Sequence, residues 1–141
     1  CASTGATNTI AILPKHIEAS NTDVTALTEL LQGSKKTLVL GTGGVARAAI
    51  IALQKCKSTV HIAGRTNKKV RALATEYLCQ VASEHDDPYD TIVQCTPVGM
   101  LVGNSPDGNS LEILAPWVSL CPSMHVLDTV YVPEQTPLLL Q

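Results

Sequence analysis

The sequence predicts an α/β fold in which a parallel sheet is wound on both faces by helices. Two observations carry that reading. Short runs of β-branched and aliphatic residues alternate along the chain with Ala- and Leu-rich stretches of helical character, the pattern of strands joined by crossover helices. One run-to-helix junction is glycine-rich, Gly41-Thr42-Gly43-Gly44-Val45-Ala46, as a strand needs if it is to turn sharply into a helix. Composition agrees with one domain of ordinary size, since 141 residues are 45% hydrophobic and 16% charged with a formal net charge of −2.

Each element follows from its local pattern. Val24, Leu27, Leu30 and Leu31 fall at helical spacing, and Gly33 supplies a stop. Lys35 and Lys36 then lead into Thr37-Leu38-Val39-Leu40, whose uninterrupted apolar part suits a strand buried on both faces. Val45 to Lys55 reads as a helix, Ser58 to Ala63 as a second strand and Lys68 to Leu78 as a second helix. After the loop His85-Asp86-Asp87-Pro88, Thr91 to Cys95 reads as a strand, and His125 to Val130 as a further one. Between Cys95 and Leu111, Pro97, Gly99, Gly103, Pro106 and Gly108 exclude regular structure and mark a long loop of the kind that often carries function.

The same counts narrow the function. Ten basic against twelve acidic residues leave no positive surplus, and Phe is absent with only one Trp and three Tyr, which argues against a nucleic-acid surface with stacking platforms. The apolar run Ala48 to Leu53 is far shorter than the roughly 20 residues of a bilayer span. Cysteines at positions 1, 56, 79, 95 and 121 are odd in number and contain no Cys-x-x-Cys pair, so reduced thiols and a cytoplasmic setting are expected. His16, His61, His85 and His125 show no ligand spacing, and no metal site is expected. No leader precedes Cys1, and the chain reads as starting inside something larger.

The glycine turn fits the Gly-x-Gly-x-x-Gly/Ala fingerprint of dinucleotide-binding, Rossmann-type domains in its proper context, between a buried strand and an Ala-rich helix. Gly41 permits the tight turn, Gly43 lets a pyrophosphate approach the backbone, and Ala46 lets the helix pack closely. The helix amino end offers N–H groups and a partial positive charge to phosphates. The plainer alternative is a turn that only joins strand to helix. Against it stands the end of the second strand, Ala63-Gly64-Arg65-Thr66-Asn67-Lys68-Lys69, where an NAD site would place an acid. Arg65 presents a planar fork, Thr66 a hydroxyl and Lys69 a point charge, all suited to a 2′-phosphate. Cations at a helix amino end are unfavourable unless an anion offsets them. NADP is therefore the expected cofactor.

Several segments in this order resemble the shikimate dehydrogenase family: Asn8-Thr9-Ile10, Asn21-Thr22-Asp23, Gly41 to Arg47, Gly64-Arg65-Thr66, Cys95-Thr96-Pro97-Val98-Gly99-Met100, and Asp128 to Pro133 followed by Thr136-Pro137-Leu138-Leu139. The Thr-Pro-Val-Gly-Met and Thr-Pro-Leu-Leu segments are the most specific. The sequence departs from the family where Val24 and Ala26 stand in place of Gly, where Gly64 replaces Asn, and where Lys69 replaces Arg.

The resemblance implies NADP-dependent, reversible reduction of 3-dehydroshikimate to shikimate in aromatic amino acid biosynthesis, with hydride passing to or from nicotinamide. It implies a proton-handling role for Asp23, substrate binding by Asn8, Asp23 and Tyr131, and cofactor binding by Gly41, Thr42, Gly43, Gly44, Val45, Gly64, Arg65, Thr66, Lys69, Thr96 and Thr129. A purely local reading instead makes Asp23 the N-cap of the helix starting at Val24. The resemblance also implies a catalytic Lys and a substrate domain upstream. Residues 1–23 are then a remnant of that domain, residues 24–141 the NADP-binding domain, and the stretch alone is expected to be inactive. A non-catalytic regulatory module of the quinate repressor type is the alternative, and a multidomain parent polypeptide is a further expectation.

Overall fold

The computed structural model describes residues 4–86, 88–101 and 107–141; Cys1, Asp87, Gly103 and Pro106, named above, lie outside them. The elements in chain order are β1 (Thr9–Ile12), β2 (Ile17–Ser20), α1 (Asp23–Leu30), β3 (Lys36–Leu40), α2 (Gly44–Lys55), β4 (Thr59–Ala63), α3 (Asn67–Tyr77), β5 (Gln80–Val81), β6 (Thr91–Gln94), α4 (Ser110–Leu114) and β7 (His125–Asp128). Five of them form one parallel sheet in the order β5-β4-β3-β6-β7. The chain moves outward from β3 through β4 to β5, then returns to β6 on the other side of β3. That reversal opens a crevice at the carboxyl ends of β3 and β6, the place where open α/β sheets bind ligands.

Strand alternation sorts the core into two layers. Val39, Val60, Ile62 and Val93 face one way and meet α1, α2 and α3 through Leu27, Leu31, Ala46, Ile50, Leu53, Val70 and Leu73. Leu38, Leu40, Ala63 and Ile92 face the other way, toward Tyr89, Leu111, Ala115 and Leu138. The second layer is thinner because α4 has only five residues and irregular chain completes it. Small side chains let α2 approach the sheet, with Ala46, Ala48, Ala49 and Ala52 fully buried.

Four elements were not expected from the sequence. β1 and β2 form a separate antiparallel hairpin, registered Thr9↔Ser20 to Ile12↔Ile17, with every residue exposed. β5 is only two residues long, and α4 lies within the sequence taken as irregular or unassigned. Among the described residues, no helix is long and apolar enough to cross a membrane.

Candidate functional site

The site begins at the turn after β3. Gly41 sits at φ +121°, donates its N–H to the Ala63 carbonyl at 2.8 Å, and leaves no room for a side chain, since a Cβ there would lie 2.8 Å from the Cys95 carbonyl oxygen. A Cβ on Gly43 would meet nothing within 4 Å. The first glycine is therefore needed by the fold, and the second leaves space above the helix. Gly43 is the N-cap of α2, with no side-chain cap and no acid in the first turn. The amino end of α2 thus keeps donors and partial positive charge facing that space. Thr42 and Val45 flank it half-buried, and Gly44 is exposed.

At the end of β4, Gly64 allows close packing, since its Cβ would lie 3.0 Å from a Val70 methyl and 3.3 Å from a Thr42 methyl. Arg65, Thr66, Lys68 and Lys69 are exposed, and among the described residues none of these three cations is ion-paired. Thr66 is the N-cap of α3, whose first turn contains no acid. The start of α3 thus carries exposed cations with no acid beside them in its first turn. Arg65 also lines a cleft of about 240 Å³ with Gly64, Val70, Ala82, Leu114 and Trp117.

Across the crevice, a residue that the sequence reading passed over organises the loop after β6. Gln94 is fully buried. Its Oε1 accepts from the Thr96 N–H at 3.1 Å and the Thr96 hydroxyl at 3.0 Å, while its Nε2 donates to the Val98 carbonyl at 3.1 Å. Its own carbonyl accepts from the Thr129 N–H and hydroxyl at 3.1 and 2.9 Å. The hydroxyls of Thr96 and Thr129 are thus engaged in holding their loops. The sequence shows only a Gln closing the short run Thr91-Ile92-Val93-Gln94; its role follows from burial, because an amide that deep must be fully partnered.

The two most family-like segments meet in space. Gly99, at φ +82°, would place a Cβ 3.1 Å from Pro137 Cδ, and Leu101 N–H donates to the Val132 carbonyl at 3.0 Å. Asp128 secures the second segment, accepting from the Thr136 hydroxyl at 2.6 Å and the Val130 N–H at 2.9 Å. Burial and the Asp128 charge raise the pKa of the Cys95 thiol well above its usual range, which keeps it neutral beside Gly41.

Asn8 and Asp23 come together. Asn8 Nδ2 donates to Asp23 Oδ1 at 2.8 Å, while Asn8 Oδ1 accepts from the Thr22 N–H at 3.0 Å. The N-cap reading of Asp23 is corrected: Thr22 holds that position, no side chain caps the helix, and Asp23 is the first helical residue with its carboxylate turned to Asn8. Tyr131 follows β7 with 80% of its surface exposed and makes no hydrogen bond to either residue.

Sheet order and turn geometry define a Rossmann-type α/β domain with a dinucleotide-type glycine loop. No protein-family profile matches the chain. A Synechococcus shikimate dehydrogenase (NADP(+)) is 39% identical over 155 aligned positions, covering 98% of this chain and 51% of its own length. The enzyme of the same name from Ignicoccus hospitalis is 37% identical, with 96% and 52% covered. Among solved structures, shikimate dehydrogenase from Aquifex aeolicus superposes with a TM-score of 0.78 at 30% identity, over 98% of this chain and 52% of that one. The Thermus thermophilus enzyme, solved with NADP(H) and shikimate, gives 0.75 at 26% identity over the same shares. Over nearly its whole length the chain is similar to NADP-dependent shikimate dehydrogenases, and it spans about half the length of the curated relatives it matches.

Proposed function

We propose that this chain is the NADP-binding half of a shikimate dehydrogenase, an oxidoreductase that interconverts 3-dehydroshikimate and shikimate. The observation that carries the reading is the pairing of an open cradle at Gly43 with an unpaired cationic corner at Arg65, Thr66 and Lys69, at the carboxyl ends of the neighbouring strands β3 and β4. The cradle suits a pyrophosphate against the amino end of α2. The corner suits a 2′-phosphate, and no carboxylate there competes for a ribose hydroxyl. When bound, NADP supplies or takes up hydride at its nicotinamide.

The chain's own residues then divide the work. Gly41, Thr42, Gly43, Gly44 and Val45 shape the pyrophosphate seat, and Gly64 with Arg65, Thr66 and Lys69 selects the phosphorylated ribose. Thr96 and Thr129, tied to Gln94, line the nicotinamide end. Asp23, oriented by Asn8, holds or receives the proton of the substrate hydroxyl, and Asn8 and Tyr131 contact the substrate. In this proposal residues 1–23 belong to the substrate-binding side and residues 24–141 to the NADP-binding side, in a cytoplasmic protein. The regulatory alternative has no specific observation in its favour.

Cofactor titration by calorimetry tests the reading. NADP is expected to bind in clear preference to NAD. Arg65→Ala is expected to weaken NADP about tenfold or more, since a charged hydrogen bond is worth roughly 1.5–3 kcal/mol, and to leave NAD nearly unchanged. Equal curves for the two cofactors in the parent chain would refute it.

A further inference from the structure

The cleft beside Arg65 is built from parts far apart in sequence. Gly64 and Arg65 come from the end of β4, Val70 from α3, Ala82 from the chain after β5, and Leu114 and Trp117 from α4 and the segment that follows it. Its volume of about 240 Å³ falls below the roughly 300–1,000 Å³ of sites that take a whole ligand, so it fits one part of a larger molecule. Its lining joins apolar side chains such as Val70, Leu114 and Trp117 to the polar groups of Arg65 and Asn67, so it suits a flat, polar-edged ring with an anion attached nearby. The chain contains one tryptophan and no phenylalanine, and that tryptophan lines this cleft with 41% of its surface exposed rather than filling the core. An indole in that setting offers a stacking face to a heterocycle, and the guanidinium beside it offers a charged partner to the attached phosphate.

We propose that Trp117 is a binding residue for the adenine ring of the dinucleotide, stacking the base in this cleft with Leu114 and Val70 as side walls and Arg65 reaching the adjoining phosphate. The inference rests on the NADP reading and deepens it, because it names the group that anchors the end of the molecule remote from hydride transfer. Neither glycine turn nor cationic corner requires a tryptophan. Base–aromatic stacking is indifferent to what lies at the nicotinamide end, so Trp117 adds affinity for any adenine nucleotide, while Arg65 adds the preference for the 2′-phosphate.

The emission of the single tryptophan reports on the cleft directly. Adenosine 2′,5′-bisphosphate and NADP are expected to quench it to the same extent, and nicotinamide mononucleotide is expected to leave it unchanged. Trp117→Leu keeps apolar bulk without the π-face and should weaken adenosine 2′,5′-bisphosphate about tenfold by calorimetry, and Trp117→Tyr should restore most of the affinity. Circular dichroism of both variants should match the parent, since Trp117 is not a core residue. If NADP binds calorimetrically while the emission stays constant and Trp117→Leu binds as tightly as the parent, the base lies elsewhere and the NADP reading stands. If neither NADP nor adenosine 2′,5′-bisphosphate binds, the NADP reading fails and this inference falls with it.

Discussion

Around the turn after β3 the backbone has no slack, whereas along the β1–β2 hairpin every residue faces solvent. Around that turn, Gly41 is pressed against the Cys95 carbonyl, Gly64 at the end of β4 against Val70, and Gln94 is fully bonded at the carboxyl end of β6. At the hairpin, Ile10, Ile12 and Ile17 are mostly exposed, and Asn8 meets Asp23 through exposed hydrogen bonds. Buried, fully satisfied contacts hold a geometry rigidly; exposed ones compete with water and contribute little net. The proposed cofactor seat is therefore set by the core of the domain itself. The proposed substrate residues are set by local bonds at its margin.

The largest effect that would sharpen this contrast is Gly41→Val. Its φ of +121° and the 2.8 Å approach to the Cys95 carbonyl should cost more than about 3 kcal/mol, read as a lower urea midpoint. Gly43→Val serves as its counterpart: nothing lies within 4 Å of its Cβ, so the midpoint should hold while calorimetry shows NADP binding lost. Failure of the first to destabilise, or survival of binding in the second, would break the assignment of roles along the turn.

Gln94→Leu comes next. It leaves the Thr96 N–H and Val98 carbonyl without their partner in a buried place, an expected loss of about 1–3 kcal/mol, together with weaker NADP binding as the loop after β6 loosens. An unchanged midpoint would show that the loop holds without it.

Asp86 tests the packed layer by pH. Burial alone would raise its pKa, but the Ser83 N–H, the Tyr89 hydroxyl and His61 all bond Oδ2, at 2.7, 2.7 and 3.0 Å, and hold it below the usual carboxylate value. A depressed carboxylate contributes stability that is fully present above its unfolded value of about 3.9 and is lost as pH falls through its folded value. The stability gap between the parent and Asp86→Asn should thus be full at neutral pH and shrink below about pH 4. A gap independent of pH would show that its charge contributes nothing.

The smallest effect belongs to the hairpin margin. Asn8→Ala removes exposed bonds to Asp23 and Thr22 and should cost about 1 kcal/mol or less, with NADP affinity unchanged. A large loss in either measurement would mean that the two regions are coupled.

Much of this was legible in the sequence because it depends on near neighbours. Alternation and helical spacing placed β3, α2, β4, α3, β6 and β7 within a few residues of their ends, and the need for a positive φ at Gly41 is a property of the turn itself. The corner Arg65-Thr66-Asn67-Lys68-Lys69 was readable too, because it follows directly on one strand. The hairpin was not: β1 and β2 are four residues each, and their pairing across Pro14 has no buried face to impose a pattern. Asp23 was open to two local roles, and only the approach of Asn8, fifteen positions away in the chain, turned its carboxylate from the helix end. Gln94 looked like one more strand residue until the sheet buried it and obliged the loop to satisfy its amide. Trp117 joined Arg65 only when α4 folded back over the end of β4. The sequence by itself thus determined the strands, the turn and the charge at its edge, since each is encoded over a few bonds; the tertiary structure decided which distant polar and aromatic groups share a site, since burial and pairing exist only once the layers close.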